Sequence, residues 1–437
     1  MRFALLRWVM VSLILSGYVR AAESPVTLTL EQALDSVEGV NLSVLLGREA
    51  AVQALQTLNQ QRASIMPIVN GSLQQRRSQG VSIATVVVAS GRPASRFDGL
   101  LTANYLAFNP AVFSAVKGAR LGVRVAEENV QAVIQEVLAN VADTYFAHLR
   151  NLRRVDVLDA NIARAKSLLE LARNQLNAGV ATQIDVTRAE AQLAVAEQAR
   201  LQQATAVYQS ELFMKRLLDI EPIRELRLAN FEVQRVNPTL FGLTEDKTAF
   251  EKRADFIAAQ TALEQTRVAV RTATYERLPS LSLSGNYGLA SAKYDDDNKQ
   301  EQWSAGIGLS MPIFDGFRTN ANKRIALSRQ RSQQARVRSL ELQISSEIRL
   351  ALQDAGSRNA QITVADTSVR LAQEELRLAQ QRYQQGVADN REVVEAQNRL
   401  AVAEDNLVEA VFQYNLSRVE LARAKGQVRS VLAEQVP

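Results

Sequence analysis

Two glutamates, Glu392 and Glu395, are the residues in this chain best spaced to do chemistry together. An i,i+3 spacing sets both carboxylates on one face of a helix, where such a pair can exchange protons, attract cations or cap the helix. Asp389-Asn390-Arg391-Glu392 reads as a capping box in which Glu392 returns to the cap residue, and Thr182-Gln183-Ile184-Asp185 repeats the pattern. A carboxylate in a first helical turn gains about 0.3–1 kcal/mol from the helix dipole. Other chemistries are excluded by composition. Cysteine is absent and His148 is the only histidine, so disulfides, thiol nucleophiles, zinc clusters and the common hydrolytic dyads have no side chains to use. Within Tyr145-Phe146-Ala147-His148 the imidazole reads as a packing or surface group. Neither a G-x-x-x-x-G-K-S/T loop nor a strand–G-x-G-x-x-G–helix unit occurs, so no nucleotide site and no cofactor are expected.

The N-terminus carries a secretory signal pattern. Arg2 and Arg7 precede a short apolar run, Trp8 to Leu15, and Val19-Arg20-Ala21 places small residues at the cleavage positions. Cleavage is expected after Ala21, which makes residues 1–21 a signal peptide. Removing Arg2, Arg7 and Arg20 leaves 48 basic and 46 acidic residues, a net charge of +2. That balance gives no reason to expect a nucleic-acid partner.

Long helices must position the glutamates. None of the nine prolines lies between Ala111 and Glu221 or between Ile313 and Val436. Both stretches are rich in Ala, Leu, Gln, Glu and Arg, the better helix formers. Apolar residues recur at helical spacing, as in Val133, Val137, Val141 and Tyr145, and in Leu340, Ile344, Ile348 and Leu352. Each stretch predicts a long helix, a tight turn at Gly179 or Gly386, and a second helix. The arm from Ala111 to Asn177 would extend about 100 Å at about 1.5 Å per residue. The two halves align without a gap at an offset of 207 residues, with 12 of 27 positions identical from Leu171 to Glu197. An internal duplication is the reading, with repeats at about 22–219 and 246–425, a linker at 220–245 and a short tail at 426–437.

Each half also holds a pair of alternating segments. Leu281, Leu283, Tyr287 and Leu289 interleave with small or polar residues, as do Trp303, Ala305, Ile307, Leu309 and Met311 beyond the polar run Lys293 to Gln302. Ile68 to Gln75 and Phe97 to Phe108 repeat this less cleanly. The period of two and the length of about ten residues suit transmembrane strands, although the polar face of a soluble sandwich alternates in the same way. Four strands cannot close a barrel, so a membrane reading requires several copies of the chain; three would give twelve strands.

This order of elements resembles the TolC-like outer-membrane efflux proteins, the outer membrane factors, over essentially the whole mature chain. The resemblance is carried by the tip turns Gln175 to Val180 and Arg382 to Val387. Each precedes a helix start, at Asp185-Val186 and Glu392-Val393. The strand-to-helix junctions Leu106 to Pro110 and Met311 to Gly316 carry it as well. It implies a mainly α protomer with two long helical hairpins and two β-hairpins. Three protomers would form a 12-stranded β-barrel in the outer membrane of a Gram-negative bacterium and an α-barrel in the periplasm. It further implies a passive exit duct for efflux or type I secretion, not an enzyme. An outer-membrane lipid environment, a periplasmic adaptor and an inner-membrane transporter would be its partners. A soluble periplasmic coiled-coil adaptor or scaffold is the alternative.

By that resemblance Glu392 and Glu395 match the acidic constriction ring at the gate, as glutamates where the family pattern has aspartates. Asp185 and Tyr383 match latch positions between neighbouring hairpins. The basic latch partner falls on Ala388, a departure for which Arg391 or Arg382 could substitute. Gly179, Val180, Gly386 and Val387 lie at the tips that dock the adaptor.

Overall fold

A computed structural model describes residues 26–78, 94–229 and 249–429. The expected signal peptide lies outside the described residues, as do most of the linker and of the tail. The first half runs β1 (Val26–Leu28), α1 (Leu30–Val40), α2 (Leu42–Ala63), β2 (Ile68–Ser78), β3 (Ala94–Phe108), α3 (Pro110–Asn177) and α4 (Gln183–Leu217). After β4 (Leu226–Leu228) the second half runs α5 (Ala249–Lys252), α6 (Ala254–Tyr275), β5 (Ser280–Ser291), β6 (Gln300–Ser310), α7 (Arg318–Gln384) and α8 (Asn390–Ala424).

The long helices α3 and α7 hold 68 and 67 residues, about 100 Å each at about 1.5 Å per residue. Their starts are set at the strand junctions. Asn109 accepts from the N–H groups of Ala111 and Val112 at 3.1 and 3.2 Å, with Pro110 in the first turn. On the other arm the Asp315 carboxylate accepts from the Thr319 N–H at 2.9 Å and also from the Thr319 hydroxyl. Both arms end in a glycine at positive φ, Gly179 at 77° and Gly386 at 75°. That left-handed conformation turns the chain back and costs an L side chain stability.

Packing arranges these helices as a wall one layer thick. In the upper part α2 packs on α3, α3 on α6 and α6 on α7; in the lower part the order is α4, α3, α8, α7. The short upper helices meet the lower ones end to end. Asn41, which caps α2, donates to the Leu217 carbonyl at the end of α4 at 2.9 Å. Arg253, which precedes α6, donates to the Ala424 carbonyl at the end of α8 at 3.3 Å. At this level Leu34, Val37, Leu138, Val141, Tyr145, Met214 and Val419 form one buried cluster. Beside it β1 pairs in parallel with β4, and the Tyr145 hydroxyl donates to the Ala229 carbonyl at 2.6 Å.

The four long strands form one antiparallel sheet in the order β2-β3-β5-β6. They run further than their alternation predicts. Gln300 to Gln302, assigned to the polar connection, join β6 because the ladder pairs Gln300 with Ala290 and Gln302 with Gly288. Backbone hydrogen bonds, indifferent to side-chain polarity, extend the strand there.

Candidate functional site

The register decides which side chains share a face. Leu73, Leu101, Leu283, Tyr287, Trp303, Ile307 and Leu309 fall on one side of the sheet. Asn70, Ser72, Thr102, Asn104, Ser282, Ser284, Asn286 and Ser304 fall on the other. No second layer of described residues covers the apolar side: Leu73 is 80% exposed, Trp303 75%, Ile307 76% and Leu309 73%. A monomeric soluble protein rarely leaves so large an apolar face in water. The outer strands β2 and β6 each keep one unpaired edge among the described residues. Between β5 and β6 the polar side is knit by Asn286 donating to Ser304 at 2.7 Å. No described helix is long and apolar enough to cross a membrane.

At the opposite end of the molecule the two hairpin tips pack together. Leu168, Ala172, Val186, Ala189, Leu376, Ala379, Val393 and Ala396 form a buried cluster there. Glu392 and Glu395 flank the buried Val393 and stand partly exposed beside it. Glu392 does not return to its cap residue as the capping-box reading expects. Asp389 caps the helix alone, accepting from the Arg391 N–H at 3.0 Å, while Glu392 turns across the hairpin to Arg382 at 3.1 Å. The guanidinium supplies a charged partner, which a backbone N–H is not. Glu395 pairs with Arg391 at 3.0 Å. The first hairpin does form its box: the Asp185 carboxylate accepts from the Thr182 N–H at 2.9 Å and from its hydroxyl at 2.7 Å.

Within the protomer Asp185 lies by Arg188, at 3.5 Å, and not by Arg382 or Arg391. Tyr383 is buried, and its hydroxyl meets no hydrogen-bond partner among the described residues. Burial, then the charges of Asp185 and Asp389, push its pKa up. Val180 and Val387 project at the tips, 75% and 68% exposed. Asn390 was missed by sequence reasoning. Its buried amide donates to the Asp185 carbonyl at 2.7 Å and accepts from Arg188 at 2.8 Å, so it joins the hairpins. A helix-initial asparagine is too common a cap to signal that role. Higher up, Arg154 clamps Asp405 at 2.6 Å and Glu409 at 3.2 Å, and Arg164 holds Glu404 at 2.5 Å. These pairs fasten α3 to α8.

A cavity of about 490 Å³ lies where α3, α6 and α8 meet, lined among others by Glu136, Asp143, Asp255, Glu420, Arg253 and Arg423. Burial, with the charge of Glu420, pushes the Asp143 carboxyl up to about 7 against the opposing pull of Arg423. No three acidic or histidine side chains among the described residues are placed to hold a metal ion. His148 is buried and bonded to Ser210 at 2.9 Å; burial pushes its pKa down, partly offset by Glu211.

An exposed apolar sheet, a polar reverse face and a helical wall about 100 Å long form one pattern, and the outer membrane efflux protein model matches it over residues 27–218 and 247–427. The chain belongs to the outer membrane efflux protein family. Its relatives include the outer membrane protein OprJ of Pseudomonas aeruginosa, 26% identical over 69% of this chain and 63% of OprJ. The alkaline protease secretion protein AprF of the same organism is 22% identical over 81% of this chain and 75% of its own length. The solved CmeC outer membrane channel of Campylobacter jejuni shares the fold, with a TM-score of 0.80 at 18% identity, covering 93% of this chain and 88% of CmeC.

Proposed function

We propose that this chain is one protomer of a trimeric outer-membrane exit duct of a Gram-negative bacterium, serving efflux or type I secretion. The observation that carries the reading is the sheet, whose exposed apolar face has lipid as its natural solvent. Its two free edges would cost several kcal/mol per unpaired backbone group inside a bilayer. Pairing β6 of one copy with β2 of the next removes both edges, and three copies close a ring of twelve strands. The polar face then lines the water. The helical wall continues the ring into the periplasm in the same way, with α7 of one protomer meeting α2 and α4 of the next. We further propose two repeats within a single domain, at about 22–219 and 246–425, joined by linker 220–245 and followed by tail 426–437.

Such a duct is passive and not an enzyme. Energy comes from an inner-membrane transporter, joined through a periplasmic adaptor that docks at the tips, around Gly179, Val180, Gly386 and Val387. Three-fold symmetry would set six carboxylates, from Glu392 and Glu395, around one axis at the gate. Asp185, Tyr383 and Arg391 are candidate latch groups between hairpins. Within the protomer Glu392 pairs with Arg382 and Glu395 with Arg391, both partly exposed. A soluble periplasmic scaffold is the poorer reading, since it leaves the apolar face in water.

Purified protein tests this reading. Extraction should require detergent, the particle should contain three chains, and planar bilayers should show conductance. Glu392→Gln with Glu395→Gln should lower cation selectivity and weaken block by divalent cations. A monomer that stays soluble without detergent would contradict the duct; unchanged selectivity in the double variant would leave both glutamates as structural groups.

A further inference from the structure

We infer that the upper part of the duct is an anion-attracting vestibule, built chiefly by arginines of α7, and that its cargo includes anionic solutes. The inference rests on the duct reading and names a substrate class for it. Between Arg318 and Leu340 the helix carries seven Arg and Lys residues and no Asp or Glu. A helix that only had to sit in a wall would mix signs, because like charges three and four residues apart oppose each other.

The arginines form two rows. Arg324, Arg331 and Arg338 recur every seven residues and fall within an arc of about 40°; Arg318, Arg329 and Arg336 fall within about 20°. All six are exposed. The buried side of the same helix holds Thr319, Ala326, Val337 and Ile344, so the rows lie on opposite flanks of it. In a wall one helix thick, one flank faces the lumen and the other faces outward. Whichever flank is inward, the lumen receives a row of three guanidiniums per protomer, nine around the ring.

Local acids do not cancel them. Arg338 has Glu341 at 3.0 Å, and Arg318 lies near Asp315. Arg324, Arg329, Arg331 and Arg336 meet no carboxylate among the described residues. The acids of α6 are already engaged: Asp255 with Arg253, Glu264 with Arg267, and Glu276 with the Asn322 amide. Across the open edge the next protomer would present α2, whose exposed Leu42, Leu46, Val52 and Leu55 accompany a single acid, Glu49. The same sign continues into the sheet. On its polar face Arg76 stands directly opposite Arg96, and the neighbouring carboxylate, Asp98, is bound to Arg96 at 2.9 Å. A water-filled tube with low-dielectric walls concentrates ions of the opposite sign. Anions that pass the tip would therefore be drawn through the upper duct.

The test uses the full-length trimer in planar bilayers. Two variants, R324Q/R331Q/R338Q and R318Q/R329Q/R336Q, are compared with the wild type and with the corresponding Lys variants, which keep the charge. The K⁺/Cl⁻ permeability ratio should rise about twofold or more in the Gln set that lines the lumen. Block by tripolyphosphate should need about tenfold more of the anion in that set, and the Lys sets should behave as wild type. If a triple variant fails to give trimers, R331Q and R336Q singly must show the same change at smaller size. A conducting channel in which neither row moves the ratio or the block overturns the inference. Absence of conductance in the wild type would strike the duct reading itself.

Discussion

Replacing Arg253 should loosen the junction between the upper and lower walls, and its cost can be worked from the contacts. Arg253 is 8% exposed. It meets Asp255 at 2.7 Å and Glu347 at 2.6 Å, and donates to the Ala424 carbonyl at 3.3 Å. One side chain thus ties the start of α6, the middle of α7 and the end of α8. Removing it leaves two carboxylates facing each other. A fully buried pair broken this way costs about 3–5 kcal/mol, but water reaches Asp255, so on the order of 2–3 kcal/mol is expected for Arg253→Gln. Burial raises the carboxyl pKa of both Asp255 and Glu347, yet the hydrogen bonds and charge of Arg253 outweigh it and hold both below their ordinary values. Groups depressed on folding stabilise the protein above their unfolded pKa and cease to do so as pH falls through the folded value. The gap between wild type and variant should therefore be full at neutral pH and shrink below about pH 4. Thermal unfolding of the detergent-solubilised protein at one scan rate, at neutral and at acid pH, reads both effects. An equal melting temperature at neutral pH, or a deficit that persists undiminished in acid, would refute the reasoning.

Asp143 gives the opposite pH dependence. Its folded pKa of about 7 lies above the unfolded value, so the folded state holds the extra proton and stability falls as pH rises through that interval. Asp143→Asn should raise the melting temperature above pH 7 and leave it nearly unchanged near pH 4; a variant that melts earlier at pH 8 would contradict this. At the tips, a Cβ on Gly386 would meet nothing within 4 Å, so the cost of Gly386→Ala is conformational alone, about 1–2 kcal/mol. Chemical denaturation would read it, and a neutral result would mean that the turn relaxes out of the left-handed region.

The helical plan was legible because proline-free stretches and helical apolar spacing act locally. Val137, Val141, Tyr145, Ile344, Ile348 and Leu352 are all buried as that spacing predicts. The alternating strands were legible for the same reason, but not which face is wet, since a soluble sandwich has the same period. That needed the register, which puts Trp303 opposite Tyr287 and Ile307 opposite Leu283 with no layer of described residues over them. Long-range pairings were not legible. Glu392 had a local cap available and took Arg382 across a hairpin instead. Arg253 reaches Glu347, 94 residues away, and spacing says nothing of contacts at that distance.

Water on one side of the sheet and lipid on the other is the condition everything else requires, and the absence of native cysteine makes it directly measurable. Single cysteines at consecutive positions of β6, Gly306→Cys through Leu309→Cys, would be introduced into protein reconstituted in vesicles. Hydrophilic maleimide should label positions 306 and 308, while fluorophores at 307 and 309 should be quenched by brominated lipid. Equal labelling of all four by the hydrophilic reagent, with no quenching by lipid, would contradict the account.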